Sequence, residues 1–396
     1  MMDLCGSRMS DSTGRPSDVE GSPEIRTGAN DGRQFSPRVF AALSGGVDSA
    51  VAAVLLVERG FEVIGAMLRL WAEPRPGSAR ADTSDAPEAV DRARCVADWL
   101  NIPFYLIDAE EPFKVHVVDY LVAEYAAGRT PNPCVPCNRV IRFGLLMERS
   151  RALGAEFLAT GHYARVRAVA GCYQLLRGRD SRKDQSYFLH TLDQQQLAHV
   201  LFPLGELTKG EVRAIARRSG LPVAEQPESQ DICFLADGDY RRFLAHQAPH
   251  LFRPGPILDT SGQVLGQHQG LPGYTIGQRK GLGITAPEPL YVLAIEPADN
   301  AIIVGPAEEM GRDECLVEEM HYIDGNMPTV PFQATAQIRY RARPTPVTII
   351  PLPDRAAHVR FASPQRDITP GQYLVLYDGE IVLGGGVICE SRQSML

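Results

Sequence analysis

The stretch Thr130–Arg139, TPNPCVPCNR, sets Cys134 and Cys137 three apart in a segment stiffened by Pro131, Pro133 and Pro136. Four chemistries use such a pair: half of a zinc site, a disulfide, two ligands of an iron–sulfur cluster, or one reactive thiol beside a bystander. Zinc needs a second close pair of Cys or His, and none follows at finger-like spacing. Eight irregularly spaced cysteines in 396 residues, behind an N-terminus with no apolar signal core, are expected to be reduced thiols. Paired cysteines are then catalytic or metal-binding. Cys137 precedes Asn138, an N-cap by residue type, and a helix predicted over about 139–153. The positive helix end, with Arg139 and Arg142 close by, is expected to lower the Cys137 pKa below the free value of ~8.5, which describes a poised nucleophile. Cys233 lies in PESQDICF, a polar loop between predicted helices, whereas Cys5, Cys95, Cys172, Cys315 and Cys389 stand in no motif.

The second chemical signal is SGGVDS, Ser44–Ser49, between the predicted strand RVFAAL and an apolar helix from Val47 to Arg59. Glycines there let the backbone approach an anion, and the free amides of the helix start, with a dipole worth about half a charge, hold phosphate. No Walker lysine follows, and the spacing is neither GxxxxGK[ST] nor GxGxxG. A loop that cradles pyrophosphate through amides and hydroxyls suits cleavage between the α- and β-phosphates, which is adenylation.

Strands and helices alternate over residues 37–160, and this rhythm predicts a parallel sheet covered on both faces, with ligands at the carboxyl ends of its strands. The strands are RVFAAL, FEVIGAML, PFYLID and AEFLAT; KDQSYFLHTLDQQQLAHV and TKGEVRAIARRSG read as helices. From about residue 250 the runs turn short, β-like and rich in Gly and Pro, and from about 311 they predict a small antiparallel barrel or sandwich. The expected organisation is a disordered tail 1–35, a nucleotide-binding α/β domain 36–245, a central domain 246–308 and a C-terminal β-barrel 309–396. A further mobile loop is expected over about 72–87. The apolar fraction of 44% and charged fraction of 22% are ordinary for a globular chain, and no run is apolar enough to span a membrane, so a cytoplasmic location follows by default. A net charge of −8 argues against bulk nucleic-acid binding but leaves room for a local basic groove.

SGGVDS in its strand–turn–helix setting resembles the PP-loop ATP pyrophosphatases (the adenine nucleotide alpha hydrolase-like fold). With GRTPNPCVPCNRVIRFG, ATGHYAR, KDQSYFL, ESQDICF, YTIGQRKGLGI and PGQYLVLYDGE in order, residues 37–396 resemble the tRNA-specific 2-thiouridylases, which place sulfur at C2 of the wobble uridine. The resemblance implies an ATP site from Ala42, Leu43, Ser44, Gly45, Gly46, Val47, Asp48, Ser49, Leu68 and Gly161. It implies that Asn132, Pro133 and Cys134 meet the target base. Contact with tRNA would come from His162, Lys183, Asp184, Gln185, Arg339, Tyr340 and Gln372. Cys137 would be the nucleophile and Cys233 the persulfide carrier, the two ending as a disulfide. The family also implies ATP with Mg²⁺, the tRNAs for Lys, Glu and Gln, a cysteine desulfurase or sulfur-relay protein as donor, and a monomer.

One position departs from the family: its best-known members carry aspartate where this chain has Cys134. Three thiols, Cys134, Cys137 and Cys233, would suffice for a [4Fe–4S] cluster with one open iron, a minority expectation beside the persulfide route. Plainer readings stand next to several motifs. His162 would serve equally as a core histidine, although its place at the end of a parallel strand favours the site. GQRKGLGI is either a tRNA contact or a basic hairpin, and the cations of TKGEVRAIARRSG read as one solvated face. Two other functions compete: an ammonia-using PP-loop synthetase, which gives Cys137 and Cys233 no task, and a non-catalytic RNA-binding module, against which the intact Ser44, Asp48 and Ser49 argue.

Overall fold

A computed structural model describes residues 36–74, 86–227 and 232–392. The expected tail 1–35 and most of the expected loop at 72–87 lie outside the described residues.

The run RVFAA forms β1 (Arg38–Ala42), with Val39, Phe40 and Ala41 buried. It pairs in parallel with β2 (Glu62–Arg69), which pairs in parallel with β3 (Phe104–Asp108). On its other side β1 pairs in parallel with β4 (Phe157–Ala159), so the strand order reverses there. Alternation sends neighbouring side chains to opposite faces. Val39 and Ala41 pack with the helices Val47–Glu58, Ala86–Leu100 and Lys209–Arg218. Phe40 packs with Phe143, Leu146, Tyr187 and, from the C-terminal region, Tyr373, Val375 and Tyr377. Ligand sites of open α/β sheets lie at such a reversal, at the strands' carboxyl ends. The loop after β1 and the residues after β4 therefore flank one crevice.

After β4 come the hairpin β5 (Ala164–Val169) and β6 (Cys172–Arg177), then β7 (Val200–Leu201), which closes the parallel sheet in the order β3-β2-β1-β4-β7. The segment expected as one helix around KDQSYFLHTLDQQQLAHV forms only a 3-10 turn, Ser186–Leu189, and the short helix Gln194–Leu197. Its Tyr187, Leu189, Leu192 and Leu197 are fixed instead as core anchors.

A small sheet of β8 (Gly255–Leu258), β9 (Val264–His268), β10 (Tyr291–Glu296) and β11 (Ala301–Gly305) follows in the order β10-β11-β8-β9, around Ile257, Val292, Ile302 and Val304. The last six strands are β12 (Arg312–Tyr322), β13 (Phe332–Gln337), β14 (Thr345–Leu352), β15 (Ala356–Gln365), β16 (Tyr373–Asp378) and β17 (Ile381–Arg392). Pairing of β12 with both β15 and β17 closes them into an antiparallel barrel, which leaves no free edge. The β5–β6 hairpin joins this sheet through Ile381↔Leu176, so a piece of chain from the nucleotide-binding half extends the C-terminal barrel.

The helix carrying Cys137 runs over residues 134–152, and its middle, Cys137–Leu146, has π-helical hydrogen bonding. It begins before the expected start. The Cys134 amide donates to Asn132 Oδ1 at 3.2 Å, and Pro133, already at helical φ and ψ, leads into the first turn. Asn138 is therefore not a cap but a buried helical residue, its Oδ1 without a hydrogen-bond partner among the described residues. Among the described residues no helix is long and apolar enough to cross a membrane.

Candidate active site

The loop after β1 turns through Gly45 at φ +75°, where a Cβ would stand 2.6 Å from the Ala89 carbonyl oxygen. Only glycine takes that conformation at that distance without strain. The Ser44 amide donates to Ser49 Oγ at 3.1 Å, and Ser49 Oγ donates to the Gly46 carbonyl at 3.0 Å. The helix from Val47 starts on Gly46 with no side-chain cap, so its dipole and first amides face the loop. Gly161, just beyond β4, is pressed against this turn: a Cβ there would lie 2.9 Å from the Ser49 nitrogen and 3.0 Å from the Asp48 carbonyl carbon. Ala42 ends β1 and Leu68 lies near the end of β2, both partly exposed beside the same crevice, while Leu43 and Val47 are buried beneath it.

Asp48 accepts hydrogen bonds from Tyr163 Oη at 2.8 Å and from Lys209 Nζ at 2.6 and 2.8 Å. The Lys209 side chain is only 13% exposed. It enters the site because Thr208 and Glu211 form a capping box that opens the helix there, and because its own amide donates to Asp180 Oδ2 at 3.0 Å. The expected solvated basic face thus holds for Arg217, which pairs with Glu225 at the surface, but not for Lys209.

The two informative thiols lie in one neighbourhood. Cys137 is buried in one cluster with Phe113, Ile141, Phe234 and Phe243, and Ile232 packs against that cluster, so both neighbours of Cys233 lie on the cluster that holds Cys137. The partly buried Arg142 guanidinium lies close to Cys137, Cys233 and Cys134, and closest to Cys137, where it would stabilise a thiolate. The π-helical stretch carries both Cys137 and Arg142. Cys134 and Cys233 open to solvent from within dense protein, and all three are free thiols.

The expected acidic shift of Cys137 is overturned. Burial pushes its thiol up, and Arg142 offsets that only in part. Burial likewise pushes Cys134 up to about 11 and Cys233 up to about 12, each further raised by a neighbouring thiol. Loss of hydration outweighs the guanidinium because a thiolate in a cleft loses most of its water. Nor are the three thiols gathered as a ligand set: among the described residues no group of three His, Cys, Asp or Glu has the placement of a metal site. Among the described residues the cluster expectation has no geometric support.

The loop before Cys134 is held by other parts of the chain. The Thr130 amide donates to the Pro370 carbonyl at 2.9 Å, Gln372 Nε2 donates to the Thr130 carbonyl at 2.8 Å, and Thr130 Oγ1 donates to Thr275 Oγ1 at 3.3 Å. Gln372 therefore has a scaffolding contact. Asp184 has several: it accepts from the Gly178 and Ser186 amides at 2.9 and 3.0 Å and pairs with Arg177 at 3.0 Å. Gln185 Oε1 accepts from the Tyr163 amide at 3.0 Å, and Lys183 lies beside them, partly exposed.

His162 is buried, its Nδ1 2.7 Å from Thr160 Oγ1 and its ring between Phe143 and Phe202. Burial pulls its pKa down to about 3, with Arg142 adding to the effect, so it is a neutral imidazole. Arg339 is exposed and paired with Asp367 at 2.5 Å, and the Tyr340 ring packs at a tilt against Phe188 with ring centroids 4.4 Å apart.

Sequence reasoning missed Lys209, Tyr163 and Glu73. The first two stood beside recognised signals, the Thr208 cap and His162. Glu73 had no signal, since its partners, Phe234, Ala236 and Arg242, are remote in the chain.

A glycine-turned pyrophosphate loop at the switch point of a parallel sheet defines an ATP-using PP-loop enzyme. The chain belongs to the tRNA-specific 2-thiouridylase family. Proteins of that name (tRNA-specific 2-thiouridylase MnmA) from Magnetococcus marinus and Moorella thermoacetica are each 51% identical to it over 352 residues, covering 89% and 88% of this chain and 98% of their own. Family models described as tRNA methyl transferase HUP domain, tRNA methyl transferase PRC-barrel domain and Aminomethyltransferase beta-barrel domain match residues 37–237, 241–306 and 312–388. A solved U34-tRNA thiolase from Methanococcus maripaludis, described with its [4Fe-4S] cluster, is 22% identical with a TM-score of 0.31, covering 54% of this chain and 65% of its own. A likeness that slight carries nothing about a cluster here.

Proposed function

We propose that the protein is a cytoplasmic, monomeric tRNA-uridine 2-sulfurtransferase that uses MgATP to activate C2–O of the wobble uridine and a cysteine persulfide to replace the oxygen. Uracil O2 is a poor leaving group. Attack of that oxygen on the α-phosphate gives an adenylate and releases pyrophosphate, held by the amides and hydroxyls of Ser44–Ser49. Lys209 is well placed to leave Asp48 for the phosphates. A persulfide formed on Cys233 then supplies the sulfur. Either its terminal sulfur bonds to C2, AMP departs, and Cys137 attacks the Cys233 sulfur to free the thiocarbonyl, or Cys137 first releases hydrosulfide, which attacks C2. Both routes end with 2-thiouridine, AMP and a Cys137–Cys233 disulfide, which an external thiol reductant reopens.

The observation that supports this reading is that Cys137 and both chain neighbours of Cys233 lie on one cluster, with Arg142 close to both thiols. An ammonia-using synthetase would have no use for that arrangement. Asn132, Pro133 and Cys134, at the start of the same helix, are the candidates for contact with the extruded base; extrusion costs a few kcal/mol in a duplex and less in an anticodon loop. Exposed Arg339, with Tyr340 and Lys183, is the better candidate for tRNA contact than Asp184 or His162, which face inward. The domain limits 36–245, 246–308 and 309–396, a desulfurase or relay protein as donor, and the tRNAs for Lys, Glu and Gln as substrates complete the proposal. Incubation with tRNA, ATP, Mg²⁺ and a sulfur donor, followed by nucleoside mass spectrometry, tests it. The reading predicts 2-thiouridine and one AMP per thiolation; AMP with no thionucleoside would refute it.

A further inference from the structure

Cys233 is exposed, yet the chain just after it is anchored in the core. Phe234 is buried edge-on against Phe113, Trp71 and Phe243, with centroids 5.6 to 6.2 Å apart. Its carbonyl accepts from the Glu73 amide at 2.9 Å. Two residues on, the Ala236 amide donates to Glu73 Oε2 at 3.2 Å. One residue thus staples segment 234–236 at both ends. Its side chain, 4% exposed, is gripped by both terminal guanidinium nitrogens of Arg242 at 2.6 and 2.5 Å, and Arg242 Nε donates to Asp237 at 2.7 Å. A carboxylate that buried needs such a fork to remain ionised.

We propose that Glu73, locked by Arg242, is the positioning residue of Cys233: it fixes the backbone beside the sulfur carrier and so keeps its sulfur within reach of Cys137. Glu73 lies in the irregular segment just after β2, which carries Leu68 near its end, so a short length of chain links the nucleotide crevice to the segment beside the carrier. Thiol–disulfide exchange between two held cysteines depends on their effective concentration, and an error of about 1 Å in placement costs up to about 100-fold. The inference rests on the reading of Cys233 as carrier.

The test uses the full chain and its E73Q, E73A and C233S variants. In glutathione buffers the Cys137 and Cys233 thiols pass two electrons and two protons to glutathione disulfide, giving one protein disulfide and two glutathione thiols. Alkylation and peptide mass spectrometry read the equilibrium, while first-turnover pyrophosphate and 2-thiouridine are measured separately. E73Q is expected to lower the disulfide equilibrium constant and the 2-thiouridine rate about tenfold, E73A more, with tRNA-dependent first-turnover pyrophosphate release within twofold of wild type. Wild-type redox and thiolation values in E73Q and E73A, with C233S inactive, would overturn this inference alone. A C233S variant that thiolates normally would overturn the carrier reading and this inference with it. Should the Glu73 variants not fold, R242K, which keeps a cation but loses the fork, carries the same expectations.

Discussion

Lys209 Nζ lies 2.6 and 2.8 Å from the two carboxylate oxygens of Asp48, joining the first turn of a distant helix to the middle of the pyrophosphate loop. A lysine 13% exposed at the mouth of a loop of free amides completes a cradle for an anion. Hydrogen bonds to charged groups are worth about 1.5–3 kcal/mol, so K209M should cut tRNA-dependent AMP formation roughly 10- to 100-fold. K209R, which keeps the charge on a wider head, should fall between. A K209M enzyme with wild-type AMP release would remove Lys209 from the nucleotide site.

Gly161 touches the loop from the other side. An alanine methyl 2.9 Å from the Ser49 nitrogen must push either β4 or the loop away. G161A is expected to weaken ATP binding about tenfold in calorimetric titration while the far-ultraviolet circular dichroism stays that of the wild type. Unchanged ATP affinity would mean that the loop yields without cost.

The Cys137 thiol, raised by burial and pulled back in part by Arg142, is mostly protonated at neutral pH. Exchange needs the thiolate, so single-turnover thiolation should rise with pH from about 7 toward 9, close to tenfold per unit where deprotonation limits the rate. R142M removes a cation that lowers this pKa. Its pKa therefore moves higher still, its rate near pH 7.5 falls, and its deficit shrinks as pH increases. A deficit constant across pH would assign Arg142 a packing role only.

Cys134 shares the neighbourhood of Arg142 but no ligand set with the other two thiols. C134A should keep most of the 2-thiouridine yield and show no difference in iron content after anaerobic purification. C137S and C233S should lose thiolation entirely while still releasing pyrophosphate. Loss of both iron and activity in C134A would restore the cluster mechanism.

Much of this site was legible before any fold was known. SGGVDS announced a phosphate loop because glycine, hydroxyl and helix start are chemistry of neighbours in sequence, and the βα rhythm put it at the end of a strand. The change from helical to strand-like periodicity similarly marked the C-terminal barrel. What stayed hidden depended on residues far apart in the chain. That Asn138 lies inside a helix follows from Asn132 and Pro133 starting it early. The β5–β6 hairpin reads as part of the nucleotide-binding half, but it finds its pairing partner in β17.

The sequence by itself determined which groups are present: a pyrophosphate loop, two candidate thiols and the strands that carry them. Those are properties of residue type and local spacing. Only the tertiary structure decided their state, because desolvation and ion pairing depend on what surrounds a group. Charge counting near Cys137 pointed to an acidic thiol, whereas the packed cluster of Phe113, Ile141, Phe234 and Phe243 strips its water and raises it. The same enclosure drew Lys209 out of a solvated helix face and set Glu73 beside the chain that carries Cys233.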